Sequence, residues 1–152
     1  MTTLTSIEQF LSARALAVAG ASRQGRKFGN VVRRELARKG WQVLLVHPEA
    51  AAIDGCPCVA RVADLPRDVG GLVVSVPPAQ AEALVREAAA AGIRRVWLQR
   101  GSESAAALAV GREAGVDVIH GQCILMYANP GGIHRVHRWL VQMAGKLPKH
   151  AA

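Results

Sequence analysis

Residues 16–30 read Leu16-Ala-Val-Ala-Gly20-Ala-Ser-Arg-Gln-Gly25-Arg-Lys-Phe-Gly-Asn30, an apolar run followed by glycines and cations. The run at residues 16–19 is long enough for a buried strand, and a helical pattern starts after Asn30. In a turn of this kind, the main-chain N–H groups and the first turn of the helix carry partial positive charge. Glycine also lets a ligand approach the main chain closely. The stretch therefore predicts a site for a phosphorylated, nucleotide-like cofactor.

Three kinds of glycine-rich loop fit this stretch to different degrees. A dinucleotide-binding loop needs Gly-x-Gly-x-x-Gly and an acidic residue that ends the second strand, whereas here that strand ends in His47-Pro48. A P-loop has the spacing of Gly20 and Gly25, but Arg26 and Lys27 stand where Lys and Ser or Thr are required. No hydroxyl is left to hold magnesium, which disfavours NTP hydrolysis. A phosphate-binding turn for another cofactor, or a plain strand-to-helix turn with solvated charges, remains open.

The composition predicts one domain over residues 1–152, since this length supports a single core. The formal net charge of +8 indicates an anionic ligand or partner. Nucleic acid is disfavoured, because two Phe, one Tyr and three Trp offer few stacking groups and the basic residues form no block. No apolar run is long enough for a membrane span, and we expect no membrane association. The three cysteines are an odd number, which favours a reducing, cytoplasmic setting.

Apolar runs alternate with helical patterns along the chain. Strands are predicted at residues 16–19, 41–46, 71–76, 95–98 and 116–119, and helices near residues 29–39, 79–91, 103–114 and 133–144. This alternation is typical of a doubly wound α/β fold with a five-stranded parallel sheet. We expect the strand order 3-2-1-4-5 and a C-terminal helix. The carboxyl ends of the first four strands would then converge on one crevice, where such folds bind ligands.

Several short motifs together resemble those of the stand-alone CoA-binding domain proteins, and the chain is similar to the CoA-binding domain of the succinyl-CoA synthetase α subunit. The matching motifs are Gly20-Ala-Ser-Arg23 with Lys27, Gly29 and Asn30, then Val46-His-Pro48, Ala63-Asp-Leu-Pro66, Ser75-Val-Pro-Pro78, Trp97-Leu-Gln99 with Gly101, Ala114-Gly115 and Cys123. The resemblance covers residues 13–123 and implies a Rossmann-like domain that holds coenzyme A or an acyl-CoA. It implies binding, and no catalysis by this chain alone.

The resemblance also implies roles for individual residues of the site. Gly20, Ala21, Ser22 and Arg23 would surround the CoA phosphates through main-chain N–H groups, and Lys27 and Asn30 belong to the same loop. His47 and Pro48 would lie near the adenosine, where the missing acidic residue makes room for a 3′-phosphate. Val76, Pro77 and Pro78 would flank the pantetheine arm. We predict no catalytic residue and no metal ligand.

The C-terminal fifth of the chain departs from the family pattern. His134 and His137 share one face of the predicted helix at 133–144, but no acidic or cysteine pair completes a metal site with them. Trp139 on that helix indicates either a surface for a homodimer or an unknown protein partner, or a side chain buried on the sheet. Two alternative functions stay open, namely an NAD(P)-binding domain of the oxidoreductase type and a regulatory or nucleic-acid-binding module that uses this basic helix.

Overall fold

The computed structural model describes residues 2–128, which form a sheet with helices on both faces. The predicted helix at residues 133–144 lies outside the described residues. The helices are α1 (Leu4–Leu11), α2 (Phe28–Arg38), α3 (Pro78–Ala90) and α4 (Ala105–Ala114). The strands are β1 (Ala15–Ala19), β2 (Gln42–Val46), β3 (Ala52–Ile53), β4 (Cys56–Val59), β5 (Val69–Val74), β6 (Arg95–Leu98) and β7 (Asp117–Ile119).

The α/β fold is confirmed, but the prediction of five parallel strands in the order 3-2-1-4-5 is wrong. Within residues 2–128 the sheet has seven strands in the order β3-β4-β2-β1-β5-β6-β7. The strand predicted at residues 71–76 was expected beside β2, whereas the structure pairs it, as β5, with β1. The place beside β2 is taken by β4, which pairs in parallel through Leu45 with Cys58 and Val46 with Val59. The sheet is also mixed, because β3 is antiparallel to β4.

A tight hairpin at residues 52–59, where no strand was predicted, causes this difference. Ile53 pairs with Cys56, and the two residues between them, Asp54 and Gly55, have φ angles of 50° and 74°. A two-residue turn with positive φ at both positions suits the twist of the flanking strands, and Asp-Gly is a preferred pair for it. The turn directs residues 56–59 back along β2. When the six parallel strands are numbered in chain order, the sheet therefore runs 3-2-1-4-5-6, with the order reversing beside β1.

The two faces of the sheet are packed by different side chains, as the alternation along β1 shows. Leu16 and Val18 point into one cluster, which includes Phe10 of α1 and Leu36 of α2. Ala15, Ala17 and Ala19 point into the other cluster, which contains the buried residues of α3 and α4. The small alanines allow α3 and α4 to pack closely, and burial on both faces explains the continuous apolar character of the central strands.

Helix α1 covers the sheet through one aromatic side chain. Phe10 is fully buried, and its ring meets Trp97 of β6 edge to face, with 5.5 Å between the ring centroids and 70° between the planes. The ring also lies over Gly71 of β5, where an added methyl group would approach its Cε2 to 2.6 Å. The absence of a side chain at Gly71 therefore creates the space in which Phe10 lies.

The carboxyl ends of β1, β2 and β5 lie at one end of the sheet, where α2 and α3 also begin. Helix N-termini and strand ends that meet in this way form the usual ligand crevice of open α/β sheets. No helix within residues 2–128 is long and apolar enough to cross a membrane.

Gly71→Ala is expected to destabilise the protein, although alanine normally restricts the unfolded chain more than glycine does. The new methyl group would displace the Phe10 ring, and overpacking of this kind costs about 1–3 kcal/mol. Urea denaturation of Gly71→Ala, Phe10→Leu and the double variant measures the loss in the free energy of unfolding. The double variant should lose at least about 0.5 kcal/mol less than the sum of the single variants. Strict additivity would show that the ring and the glycine do not share this space.

Candidate functional site

The loop between β1 and α2 begins with a glycine that no other residue could replace without rearrangement. Gly20 has a φ angle of 115°, which side-chain-bearing residues rarely adopt. A Cβ atom at this position would overlap the main-chain oxygen of Ser75, just beyond β5. The chain therefore turns out of β1 in direct contact with the main chain that follows β5.

A second glycine brings α2 against the same turn. A Cβ atom on Gly29 would lie 2.5 Å from both the carbonyl carbon and the oxygen of Gly20, and 2.7 Å from the nitrogen of Ala21. The first turn of α2 thus packs directly on the start of the loop. Because the N–H groups of a first turn have no partner within the helix, this contact presents donors and the positive end of the helix dipole at the strand ends.

The side chain of Asn30 holds the two ends of the loop together. It is fully buried. Its Oδ1 accepts hydrogen bonds from the main-chain N–H groups of Ser22, at 2.9 Å, and Lys27, at 3.2 Å. Its Nδ2 donates to the carbonyl oxygen of Ser22 at 2.9 Å. The amide therefore determines the shape of the loop, and the N–H group of Ser22 is bonded to the protein itself.

A crevice with a volume of about 360 Å³ lies beside this loop. Six of the predicted site residues line it: Gly20, Ala21, Lys27, His47, Pro48 and Val76. The other five predicted residues are Ser22, Arg23, Asn30, Pro77 and Pro78, and they flank the lining in sequence without being part of it.

The far wall of the crevice was missed by sequence reasoning. Ala60 and Arg61 follow β4, and α3 contributes Gln80, Leu84 and Glu87. None of these five residues was among the predicted site residues. The Asp-Gly turn was the one signal that would have revealed β4 and, with it, the return of residues 60 and 61 to the strand ends.

His47 is fixed by main-chain hydrogen bonds. Its Nδ1 accepts from the N–H groups of Glu49, at 3.1 Å, and Ala50, at 3.0 Å, so the proton of the neutral ring is on Nε2. The main-chain N–H group of His47 donates to the carbonyl oxygen of Val59 in β4. The ring thus stabilises the turn after β2 and lines the crevice from a defined position.

An ion pair joins this turn to the glycine loop. Arg23 Nη2 lies 3.1 Å from Glu49 Oε2, and both side chains are largely exposed. The sequence placed no acidic residue at the end of β2 itself. In the structure, Glu49 nevertheless brings a carboxylate to the arginine of the loop, beyond the proline.

The hairpin tip is held on α2 by a second set of charges. Asp54 Oδ2 lies 3.3 Å from Arg33 Nη2 and 3.8 Å from Arg34 Nη1.

The two cysteines of β4 are packing groups. The Cys56 thiol donates to the carbonyl oxygen of Val43. Burial raises the pKa of the Cys56 thiol, an effect that the charge of nearby Arg33 opposes, and burial also raises the pKa of Cys58. Both thiols are thereby kept protonated at neutral pH, as packing groups are.

Polar side chains after the end of β6 accept hydrogen bonds from main-chain N–H groups. Gln99 is buried, and its Oε1 accepts from the N–H group of Ile124. Ser102 Oγ accepts from the N–H group of Val76 at 3.1 Å. Among residues 2–128, no three His, Cys, Asp or Glu side chains are grouped as a metal ion would require. His134 and His137 lie outside the described residues.

The chain is similar to a known family and to several solved structures. The family described as the CoA binding domain matches residues 14–129. A conserved hypothetical protein from Pyrococcus furiosus is 38% identical with a TM-score of 0.70, and the match covers 73% of this chain and 96% of that protein. A protein from Thermus thermophilus is 28% identical with a TM-score of 0.71, and the match covers 90% and 97% of the two chains.

One similar structure belongs to a larger enzyme. It is the dinucleotide forming acetyl-coenzyme A synthetase 1 of Ca. Korarchaeum cryptofilum in complex with phosphate and ADP. It is 25% identical to this chain with a TM-score of 0.66. The match covers 74% of this chain and 26% of the synthetase, so the likeness concerns one part of that enzyme.

Asn30→Ala is expected to lower the free energy of unfolding by about 2–3 kcal/mol, because the buried N–H group of Ser22 and the partly buried N–H group of Lys27 lose their acceptor, and the carbonyl oxygen of Ser22 loses one of its two donors. Asn30→Asp should also destabilise, since it sets an oxygen against the carbonyl oxygen of Ser22. Gln24→Ala is the matched control, because it removes an exposed amide from the same loop and should change stability by less than about 0.5 kcal/mol. Equal chemical denaturation curves for Asn30→Ala and Gln24→Ala would contradict the role given to Asn30.

Proposed function

Because this chain belongs to the CoA-binding domain family, we propose that it binds coenzyme A or an acyl-CoA in the crevice at the carboxyl ends of β1, β2 and β5. One observation carries the proposal. Gly29 packs the first turn of α2 against Gly20, so that a helix N-terminus and Lys27 face the crevice. A site of this kind suits an anionic diphosphate. The similarity to part of an acetyl-coenzyme A synthetase points to the same ligand.

The diphosphate is proposed to bind at the glycine loop. The N–H group of Ser22 is bonded to Asn30, so the main-chain donors that remain for the phosphates come from Ala21 and the first turn of α2. Lys27 adds a positive charge at the crevice wall. Asn30 acts through the loop it shapes, and we assign it a positioning role with no direct contact to the ligand.

The adenosine is proposed to lie beside His47 and Pro48. In doubly wound sheets this position, after the second strand, belongs to the ribose of the cofactor. The fixed His47 ring and the proline form a rigid surface there. Arg23 is not part of the crevice lining, but its ion pair with Glu49 brings its guanidinium to the turn after Pro48, and we propose that it meets a ribose phosphate there.

The pantetheine arm is proposed to follow the apolar wall formed by Val76 and α3. Pro77 and Pro78 start α3 and give that wall a rigid edge, while Leu84 and Gln80 extend it. His47 is engaged with the main chain through Nδ1. We propose that this chain binds the cofactor without catalysis of its own.

A nicotinamide dinucleotide is the competing ligand, and one observation favours it. Glu49 places a carboxylate near the end of β2, where NAD-binding domains hold the ribose hydroxyls. The carboxylate is paired with Arg23, however, and a ribose phosphate would compete for that arginine. Coenzyme A therefore matches the charges better than NAD does.

Isothermal titration calorimetry with CoA, dephospho-CoA, NAD and ATP distinguishes these ligands. We expect CoA to bind most tightly, because it alone combines the diphosphate with a phosphate on the ribose and a pantetheine arm. Binding should weaken as salt is added, since it depends on phosphate charges. Tighter binding of NAD than of CoA would overturn the proposal in favour of the competing ligand.

Lys27→Ala should weaken CoA binding roughly tenfold, the loss expected for a charge-assisted contact to phosphate. Lys39→Ala is the control, because it removes the same charge at the opposite end of α2 and should leave the affinity unchanged within about twofold. Both affinities are measured by the same titration. A similar loss in the two variants would show that only the net charge matters, and that Lys27 does not face the ligand.

A further inference from the structure

We propose that Glu49 limits the preference of this crevice for ligands with a phosphate on the ribose, because it holds Arg23 as a counter-ion that this phosphate must replace. The inference rests on the proposed binding of coenzyme A and adds to it a residue that controls specificity. Glu49 lies outside the motifs that resemble the family, and only the structure brings it to the glycine loop.

Both partners of the ion pair extend from turns that hydrogen bonds stabilise. The N–H group of Gly25 donates to the carbonyl oxygen of Ser22 at 3.0 Å, which closes the turn that carries Arg23. The N–H group of Glu49 donates to His47 Nδ1 at 3.1 Å, which fixes the main chain of the second partner. The contact of 3.1 Å between Arg23 Nη2 and Glu49 Oε2 therefore joins two ordered segments.

The position of the pair identifies the part of the ligand that it would meet. The diphosphate belongs at the first turn of α2, whereas a charged residue after the second strand of such a sheet faces the adenosine ribose. An arginine at that place accommodates a phosphate on the ribose, and an acidic residue there favours ribose hydroxyls. Arg23 is of the first type and Glu49 is of the second. In the free protein the two side chains neutralise each other in an ion pair.

The two cations that line the crevice, Lys27 and Arg61, lack this arrangement. Arg61 pairs with Asp64 of its own turn, at 3.2 Å, and Lys27 has no ion-pair partner among the described residues. Arg23 is thus the cation whose carboxylate partner comes from the turn beside the proposed ribose position. A phosphate monoester is a stronger partner for a guanidinium than one carboxylate, because it carries more charge and accepts two parallel hydrogen bonds.

Two effects follow if Glu49 loses its charge. Arg23 no longer has to leave a partner, and the phosphate no longer meets a nearby carboxylate. An exposed ion pair of this kind changes an equilibrium constant by up to about fivefold. Glu49→Gln should therefore tighten the binding of CoA about twofold to fivefold. The binding of dephospho-CoA, which lacks the ribose phosphate, should change by less than twofold.

The test measures the ratio of the two affinities by isothermal titration calorimetry in the full-length protein. The variants are Glu49→Gln, Arg23→Gln and, as a control for net charge, Glu113→Gln. Glu113 is exposed at the end of α4, at the edge of the sheet where β7 begins, opposite to the crevice. The ratio of CoA affinity to dephospho-CoA affinity should rise in Glu49→Gln, fall in Arg23→Gln and stay at the wild-type value in Glu113→Gln.

The outcomes separate this inference from the proposed function. If the wild type binds CoA but Glu49→Gln changes both ligands by the same factor, or changes neither, the inference is overturned. The same holds if Glu113→Gln has the effect expected of Glu49→Gln. If the wild type binds neither CoA nor dephospho-CoA, the proposed function itself fails. Thermal melting of each variant confirms that the protein is folded during the titration.

Discussion

The contact between the first turn of α2 and the carbonyl group of Gly20 is the constraint on which the site depends. It exists because Gly29 has no side chain, so that the helix reaches the end of β1 with nothing between them. A helix that starts there directs its free N–H groups at the strand ends. The loop, the crevice and the position of Lys27 all follow from this one close approach.

The buried side-chain amide of Asn30 holds the glycine loop in one conformation. Glycines make a loop permissive, and a permissive loop has many conformations. Asn30 selects one of them by bonding Ser22 and Lys27 at once, from the helix that the loop leads into. The cations of the loop can then point outward, since none of them is needed to hold it. This division between an uncharged internal support and charged exposed residues suits a site that binds an anion.

Much of the fold could be predicted because its signals are local. The apolar runs of β1, β2, β5, β6 and β7 and the patterns of α2, α3 and α4 were visible in sequence. The hairpin of β3 and β4 was not predicted, although Asp54 and Gly55 form the pair that such a turn prefers. Its strands are short and contain a proline, so periodicity carried almost no information. Missing that one strand was enough to place β5 on the wrong side of β1.

The glycine loop and the alternation of strands and helices could be predicted because each depends on residues close together in the chain, and the family resemblance added six of the residues that line the crevice. The folded chain was needed to show which strand lies beside which, how α3 supplies the far wall, and that Glu49 meets Arg23 across 26 positions of sequence. Pairing between distant residues depends on the path of the whole chain, and the choice of strand neighbours changes that path. Local propensity does not depend on which strands are neighbours. Packing and hydrogen bonding between the strands determine that choice.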